Sequence, residues 1–197
     1  MPRKKDFDED KILEKAMVLF WQKGYHDTSI KDLIAYLGIS NASIYNAFGG
    51  KKELFQRTLK IYRSHQLGGL REHLLAQARE QKEVKEVLRD MFLKLIRDDR
   101  TDEDCKGCLI VNTTIELIPA DPYIQQEIQE HKMEIEAVFY DFLVYGVEQG
   151  QIKPGKNIKM ISKLLYTLMT GLRVLGKVKP PEEESLDSVN AILTLLD

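Results

Sequence analysis

The sequence is poor in the residues that many other ways of building a stable or catalytic protein require. Two cysteines in 197 residues cannot staple a fold of this size, and the chain reads as one from a reducing compartment, where thiols stay free. Cys105-Lys-Gly-Cys108 is a lone CxxC, without the further ligands that zinc needs or the βαβ setting of a thiol–disulfide enzyme. The four histidines are scattered, and no Ser-His-Asp or paired-carboxylate constellation accompanies them. No catalytic residue, metal or cofactor is therefore expected. Gly171-Leu-Arg-Val-Leu-Gly176-Lys177 fits the opening of a phosphate-binding loop, but Val178 stands where Ser or Thr belongs and no strand precedes it. No apolar run is long enough to cross a bilayer, since even Ile158 to Leu175 is interrupted by Lys159, Lys163 and Arg173. Met1-Pro-Arg-Lys-Lys leads into acidic residues rather than the apolar region of a signal peptide. A cytoplasmic location without a membrane partner is the expectation. An excess of basic charge is missing too: 29 Lys and Arg stand against 31 Asp and Glu, net −2. The whole chain has no general attraction to a polyanion, so any nucleic-acid binding must be local.

One stretch has the pattern that local binding requires. From Thr28 onward, Ile30, Leu33, Ile34 and Leu37 recur at the i, i+3, i+4, i+7 spacing of an amphipathic helix. Thr28 is placed to cap its start and Gly38 to end it. Ser40 then caps a second short helix, and a tight turn between two such helices is the outline of a helix-turn-helix. On the second helix Ile44, Ala47 and Phe48 share one side, whereas Asn41, Ala42, Ser43, Tyr45 and Asn46 stay free. That free face is small, polar and without Asp or Glu, and Lys51 and Lys52 follow just beyond Gly49-Gly50. It can approach a polyanion without like-charge repulsion. Any surface helix has a polar face, so the spacing alone leaves both readings open. Arg3, Lys4 and Lys5 precede it as either a solvated tail or a phosphate-touching arm.

Taken in order, Ala16, Leu19-Phe20, Gly24-Tyr25, Thr28, Ile30, Leu33-Ile34, Gly38-Ile39-Ser40, Ile44-Tyr45, Phe48, Lys51 and Glu53-Leu54-Phe55 resemble the N-terminal domain of the TetR family of repressors. The resemblance covers roughly the first quarter of the chain, and as a combination it is far more specific than any one piece. It implies that Thr28 meets a phosphate at the start of the second helix, and that Tyr45 and Lys51 give a phenol and a charge to the backbone. It also implies that Asn41, Ala42, Ser43 and Asn46 face base edges in the groove. Ser29 and Ser40 complete the expected DNA-binding set. Two departures are visible: Ala47 replaces a His common in relatives, and Gly50 replaces the usual Ser, Asn or Asp cap before Lys51.

The remaining residues read as helices. Asp8 to Lys23 gives a first helix with Ile12, Leu13, Ala16, Leu19 and Phe20 inside and Trp21 as a partly exposed packing residue. A long helix runs from Lys51 through Leu54, Phe55, Leu59, Tyr62, Leu67, Leu70 and Leu74 to Ala78. Gly68-Gly69 interrupts it, as a hinge or as a site of close helix approach. Val84 to Ile96 buries one side, and Arg97 to Asp104 reads as a surface loop. Cys108 to Ile118 is apolar nearly all round, with Cys108, Asn112 and Glu116 on one stripe. Pro119 closes that helix, and Asp121-Pro122 opens another that carries Ile124, Ile128, His131, Ile135, Phe139 and Phe142 on one face. His131 is read there as a hydrogen-bonded core residue. Two further apolar helices follow, from Asn157 to Leu175 and from Leu186 to Leu196.

The expected whole is an all-α protein of about nine helices. A helix-turn-helix DNA-binding domain occupies 1–50, and a helical ligand-binding and dimerisation domain occupies 51–197. A small-molecule effector is expected among Tyr62, Phe92, Ile96, Cys108, Asn112, Glu116, His131 and Phe139, an apolar setting with a few polar anchors. The resemblance implies that the last two helices pair with their twins through Leu164, Leu168, Gly171, Leu172, Leu175, Val189 and Leu193. Such a homodimer suits a palindromic double-stranded DNA operator, and the reading is a ligand-responsive repressor. Two alternatives stand beside it: an all-α interaction module or enzyme with an incidental helix-turn-helix, and a regulator that senses redox state or electrophiles through Cys108 at a helix start.

Overall fold

Local sequence starts and stops each element before packing fixes it. The structure, a computed structural model, describes residues 7–118 and 120–197. Among the described residues there are nine α-helices and no strand: α1 (Glu9–Lys23), α2 (Ile30–Leu37), α3 (Asn41–Phe48), α4 (Lys51–Arg79), α5 (Val84–Thr101), α6 (Leu109–Leu117), α7 (Pro122–Glu148), α8 (Ile158–Leu175) and α9 (Glu182–Leu193). Asp8, Asp121 and Asn157 cap α1, α7 and α8 by accepting hydrogen bonds from free N–H groups of the first turn, and Pro122 needs no N–H there. The Arg3-Lys4-Lys5 arm and Pro119 lie outside the described residues.

The apolar residues gather in two clusters that share α4 and α7. The first joins α1, α2 and α3 to Leu54, Phe55, Leu59 and Tyr62 of α4, then to α6 and to Ile124 and Ile128 of α7. Phe20 and Phe55 meet edge-on at 5.0 Å within it. The second joins Leu74 of α4 to α5, the rest of α7, α8 and α9, with Phe92 and Phe139 stacked at 6.5 Å. Each fully buried Leu or Phe contributes on the order of 1.5–3 kcal/mol, which is what makes eight-residue helices such as α2 and α3 persist when isolated ones would not. The first cluster runs past residue 50, so α1 to α3 rest on α4 and α6 rather than standing apart.

Between the clusters the α4–α7 contact turns polar. Arg63 of α4 is mostly buried and donates to Glu134 through Nε and Nη2 at 2.9 and 2.8 Å. Its Nη1 donates to Glu127 and Glu130, each at 3.0 Å.

Two expectations are corrected here. Arg97 to Thr101 is not a loop but the last turn of α5. Its charges are paired, because Asp99 is buried against Arg173 of α8, Arg97 reaches Glu182 and Lys94 reaches Asp98. Burial pushes the Asp99 carboxyl up against the pull of Arg173. The α6 helix, apolar nearly all round, is not covered all round: it packs on α4, α7 and α8, and Ile115 is left 69% exposed.

α4 runs through Gly68 and Gly69 without a break. Neither glycine is approached, since a Cβ on either would meet nothing within 4 Å. Close helix approach is therefore not their role in a single chain. Replacing either by Ala should raise thermal stability by about 1 kcal/mol, the propensity difference in an open helix interior. A melting temperature that falls instead would show that the backbone there departs from plain helix.

Candidate nucleic-acid interface

The α2–turn–α3 unit is set by two serines and one glycine. Ser29, not Thr28, caps α2: its hydroxyl accepts from the Asp32 N–H at 3.1 Å while the Asp32 carboxylate accepts from the Ser29 N–H at 2.8 Å. This reciprocal pair satisfies two of the helix's free donors. The Ser29 hydroxyl, followed by Lys23, holds the Asp32 carboxyl well below its usual range. Thr28 is fully buried and donates its hydroxyl to the Gly24 carbonyl at 2.6 Å, so that proton is already engaged within the chain. The sequence placed the cap one residue early because both positions carry a hydroxyl. Gly38 then takes φ +71°, a left-handed stop that suits glycine. Ser40 starts α3 by accepting from the Ser43 N–H at 3.1 Å.

α3 is pinned by Ile44 and Phe48, both buried, and turns Asn41, Ala42, Tyr45 and Asn46 outward. Ser43 is half-buried, with its hydroxyl 3.0 Å from that of Ser40. Tyr45 is 53% exposed. Lys51 is half-buried with its ammonium 4.4 Å from the centre of the Tyr25 ring, and burial lowers its pKa. Lys52, by contrast, is ion-paired to Asp121 at 2.8 Å. One residue was missed: Arg57 of α4 donates to the Ala47 carbonyl at 3.4 Å and lies over the Phe48 ring. It places positive charge at the C-terminal end of α3, which the helix dipole favours. Its spacing from α3 across a turn gives no periodic signal.

The expected effector residues do not form one group. Tyr62 and Cys108 meet through Gln66, whose Nε2 lies 3.1 Å from the Tyr62 hydroxyl and 3.5 Å from the Cys108 thiol. Trp21 stands edge-on to Tyr62 at 5.0 Å and donates to the Gly107 carbonyl, the half-buried packing role expected of it. Phe92, Ile96 and Phe139 belong to the other cluster. Asn112 donates to the Lys106 carbonyl at 2.8 Å, while its Oδ1 is buried without a partner. Glu116 is corrected outright, because both its carboxylate oxygens accept from backbone N–H groups, of Tyr25 at 3.0 Å and His26 at 2.5 Å. His131 is buried, and its Nδ1 meets no protein partner. A cleft of about 290 Å³ between α4 and α7 is lined by Arg71, Leu74, Leu75, Ala78, Val138, Asp141, Phe142 and Tyr145, none of them in the expected set.

The expected dimer residues also divide. Leu164, Gly171 and Leu175 of α8 are exposed and Leu168 is half-buried. Leu172, Val189 and Leu193 are buried in their own chain's second cluster, since an apolar helix stripe serves both an inner and an outer neighbour. Met160, Val174 and Val178, not anticipated, extend the exposed apolar strip.

The model for bacterial regulatory proteins of the tetR family matches residues 12–58, which hold most of α1, all of α2 and α3, and the start of α4. An uncharacterised helix-turn-helix transcriptional regulator of Bacillus subtilis, YezE, is 31% identical over 198 residues, covering all of both chains. The chain belongs to the TetR family. The Escherichia coli repressor ComR is 26% identical over 193 residues, 98% of this chain and 90% of ComR. Among solved structures, the TetR-family regulator CifR, as a cysteine mutant complexed with 26-base-pair operator DNA, superposes with a TM-score of 0.83 at 25% identity, covering 98% of each chain. No helix among the described residues is long and apolar enough to cross a membrane.

In this TetR-family chain His131 is held neutral. Burial lowers its pKa to about 4, helped by Arg63 and opposed by Glu134. An imidazole depressed below its unfolded value binds protons more readily in the unfolded chain, so stability falls as pH drops from about 6.5 toward 4. His131→Leu should remove on the order of 1–3 kcal/mol of that acid sensitivity. Melting curves at pH 7.5 and 5 for both proteins check it, and equal slopes would refute it.

Proposed function

We propose that the chain is a ligand-responsive transcriptional repressor that acts by binding, without catalysis. Residues 1–50 act as the DNA reader and 51–197 as the effector-binding and dimerising body. The observation that carries this is the outward side of α3: Asn41, Ala42 and Asn46 are exposed, carry no charge and are flanked by Tyr45 and Lys51. Amide and hydroxyl groups there suit base edges, and the phenol and ammonium suit the phosphates beside them. Ser29 and Ser40 lie at helix starts, where free N–H groups favour an anion, and Thr28 contributes its place at that start rather than its hydroxyl.

The repressor reading draws on ComR, named a repressor, and on CifR, solved on its operator. Leu164, Leu168, Gly171 and Leu175, with Met160 and Val174, are proposed to cover the same strip of a second copy. A dimer presents two copies of α3 to half-sites about one DNA turn apart. An effector that binds one arrangement of the body better than the other shifts the population away from the spacing that fits DNA. Tyr62, Cys108, Asn112 and His131 remain its proposed contacts.

Removing the Tyr45 hydroxyl with Tyr45→Phe should weaken binding to all sequences alike by about fivefold, one hydrogen bond's worth. Asn46→Ala or Ser43→Ala should instead change which base is preferred, by about 1–3 kcal/mol at the contacted position. Anisotropy titrations against a library of operator variants separate the two. Undiminished operator binding by Tyr45→Ala would refute the phosphate role.

A further inference from the structure

The corner between α6 and α7 carries two carboxylates, one that holds the reader and one that holds the start of α4 beside it. Glu116, in the last turn of α6, accepts from the Tyr25 N–H with Oε2 at 3.0 Å and from the His26 N–H with Oε1 at 2.5 Å. Asp121, the cap of α7, meets Lys52 at 2.8 Å. The first grips the turn between α1 and α2, and the second grips the start of α4. The chain is built to admit the first. Gly24 sits at φ +85°, and a Cβ there would lie 3.0 Å from the Glu116 Oε2.

What Glu116 holds leads to the DNA side. The Tyr25 ring packs against Phe55 at 5.0 Å and carries the Lys51 ammonium at 4.4 Å on its face. The backbone of Tyr25 is thus fixed by α6 while its ring seats the cation proposed to grip a phosphate. A carboxylate suits this task because each oxygen accepts one N–H and the bonds are charge-assisted, about twice as strong as neutral ones. A Gln in its place turns an NH₂ toward one of those N–H groups.

We propose that Glu116 is a positioning residue: through the backbone of Tyr25 and His26 it locks the orientation of the reader, with Lys51 and α3, against the body. This rests on the reading of α3 as the DNA-contacting helix. The lock matters for DNA bearing two half-sites, where both readers must be held at one separation, and not for a single half-site, which one reader satisfies in any orientation.

The test uses the full-length protein and two duplexes, a palindrome selected from random DNA by the wild type and the same duplex with one half-site scrambled. Glu116→Gln should lose about tenfold in affinity for the palindrome, the loss expected of charge-assisted hydrogen bonds, while affinity for the single half-site changes by less than about twofold. It should also discriminate less between palindromes whose halves are moved one base pair apart or together. Glu116→Asp, which keeps the charge but falls short by one methylene, should lie between. Equal losses on both duplexes would mean that Glu116 only keeps the reader folded, and unchanged affinity for both would mean that it sets nothing; either overturns the proposal. Failure of the wild type to select any duplex would instead overturn the DNA-reading function beneath it.

Discussion

The molecule is referred to one pair of rods, α4 and α7, and to the line of opposite charges that binds them. Lys52, Lys60 and Arg63 on α4 face Asp121, Glu127, Glu130 and Glu134 on α7. Lys52 and Lys60 are exposed, and such solvent-screened pairs add little to stability. Arg63 is different, because it is mostly buried and satisfied by three carboxylates. Removing any one of its partners leaves a desolvated charge less well met, which is far more costly than losing a surface pair. Both apolar clusters hang on these two helices, so their relative setting determines where everything else sits.

How much of this the sequence disclosed depends on whether the signal was periodic or a single distant contact. The α3 face was legible because Ile44 and Phe48 fall four apart and leave the polar residues no other side. Helix starts at Asp8, Ser40 and Asp121 were legible because a capping side chain acts within three residues. Thr28 and Ser29 could not be told apart, since either hydroxyl can cap and only the fold decides which is buried. The end of α5 was hidden because its charges look like a loop until Arg173, 74 residues on, is seen to pair with Asp99. Glu116 looked like one member of a polar stripe for the same reason: its partners are backbone N–H groups 90 and 91 residues away, and a backbone amide has no sequence signature. The apolar stripes of α8 and α9 announced burial but not against what, so three of the seven expected dimer residues, Leu172, Val189 and Leu193, belong to the chain's own core.

Among the described residues, the buried side-chain polar atoms left without partners fall in the body rather than the reader, Asp99 Oδ2 on α5 among them. Asn112 Oδ1, Thr113 Oγ1 and His131 Nδ1 are buried on α6 and α7, where each unpaired group costs roughly 1–3 kcal/mol. Stability has been given up there and not around α3, whose caps and anchors are complete.

The pairing of Lys52 and Lys60 with α7 also limits how the protein meets DNA in general. Cations already matched within the chain release few counterions on contact, and that release drives attachment to arbitrary sequence. With a net charge of −2 and these cations already engaged, the chain as a whole offers little bulk attraction to arbitrary sequence.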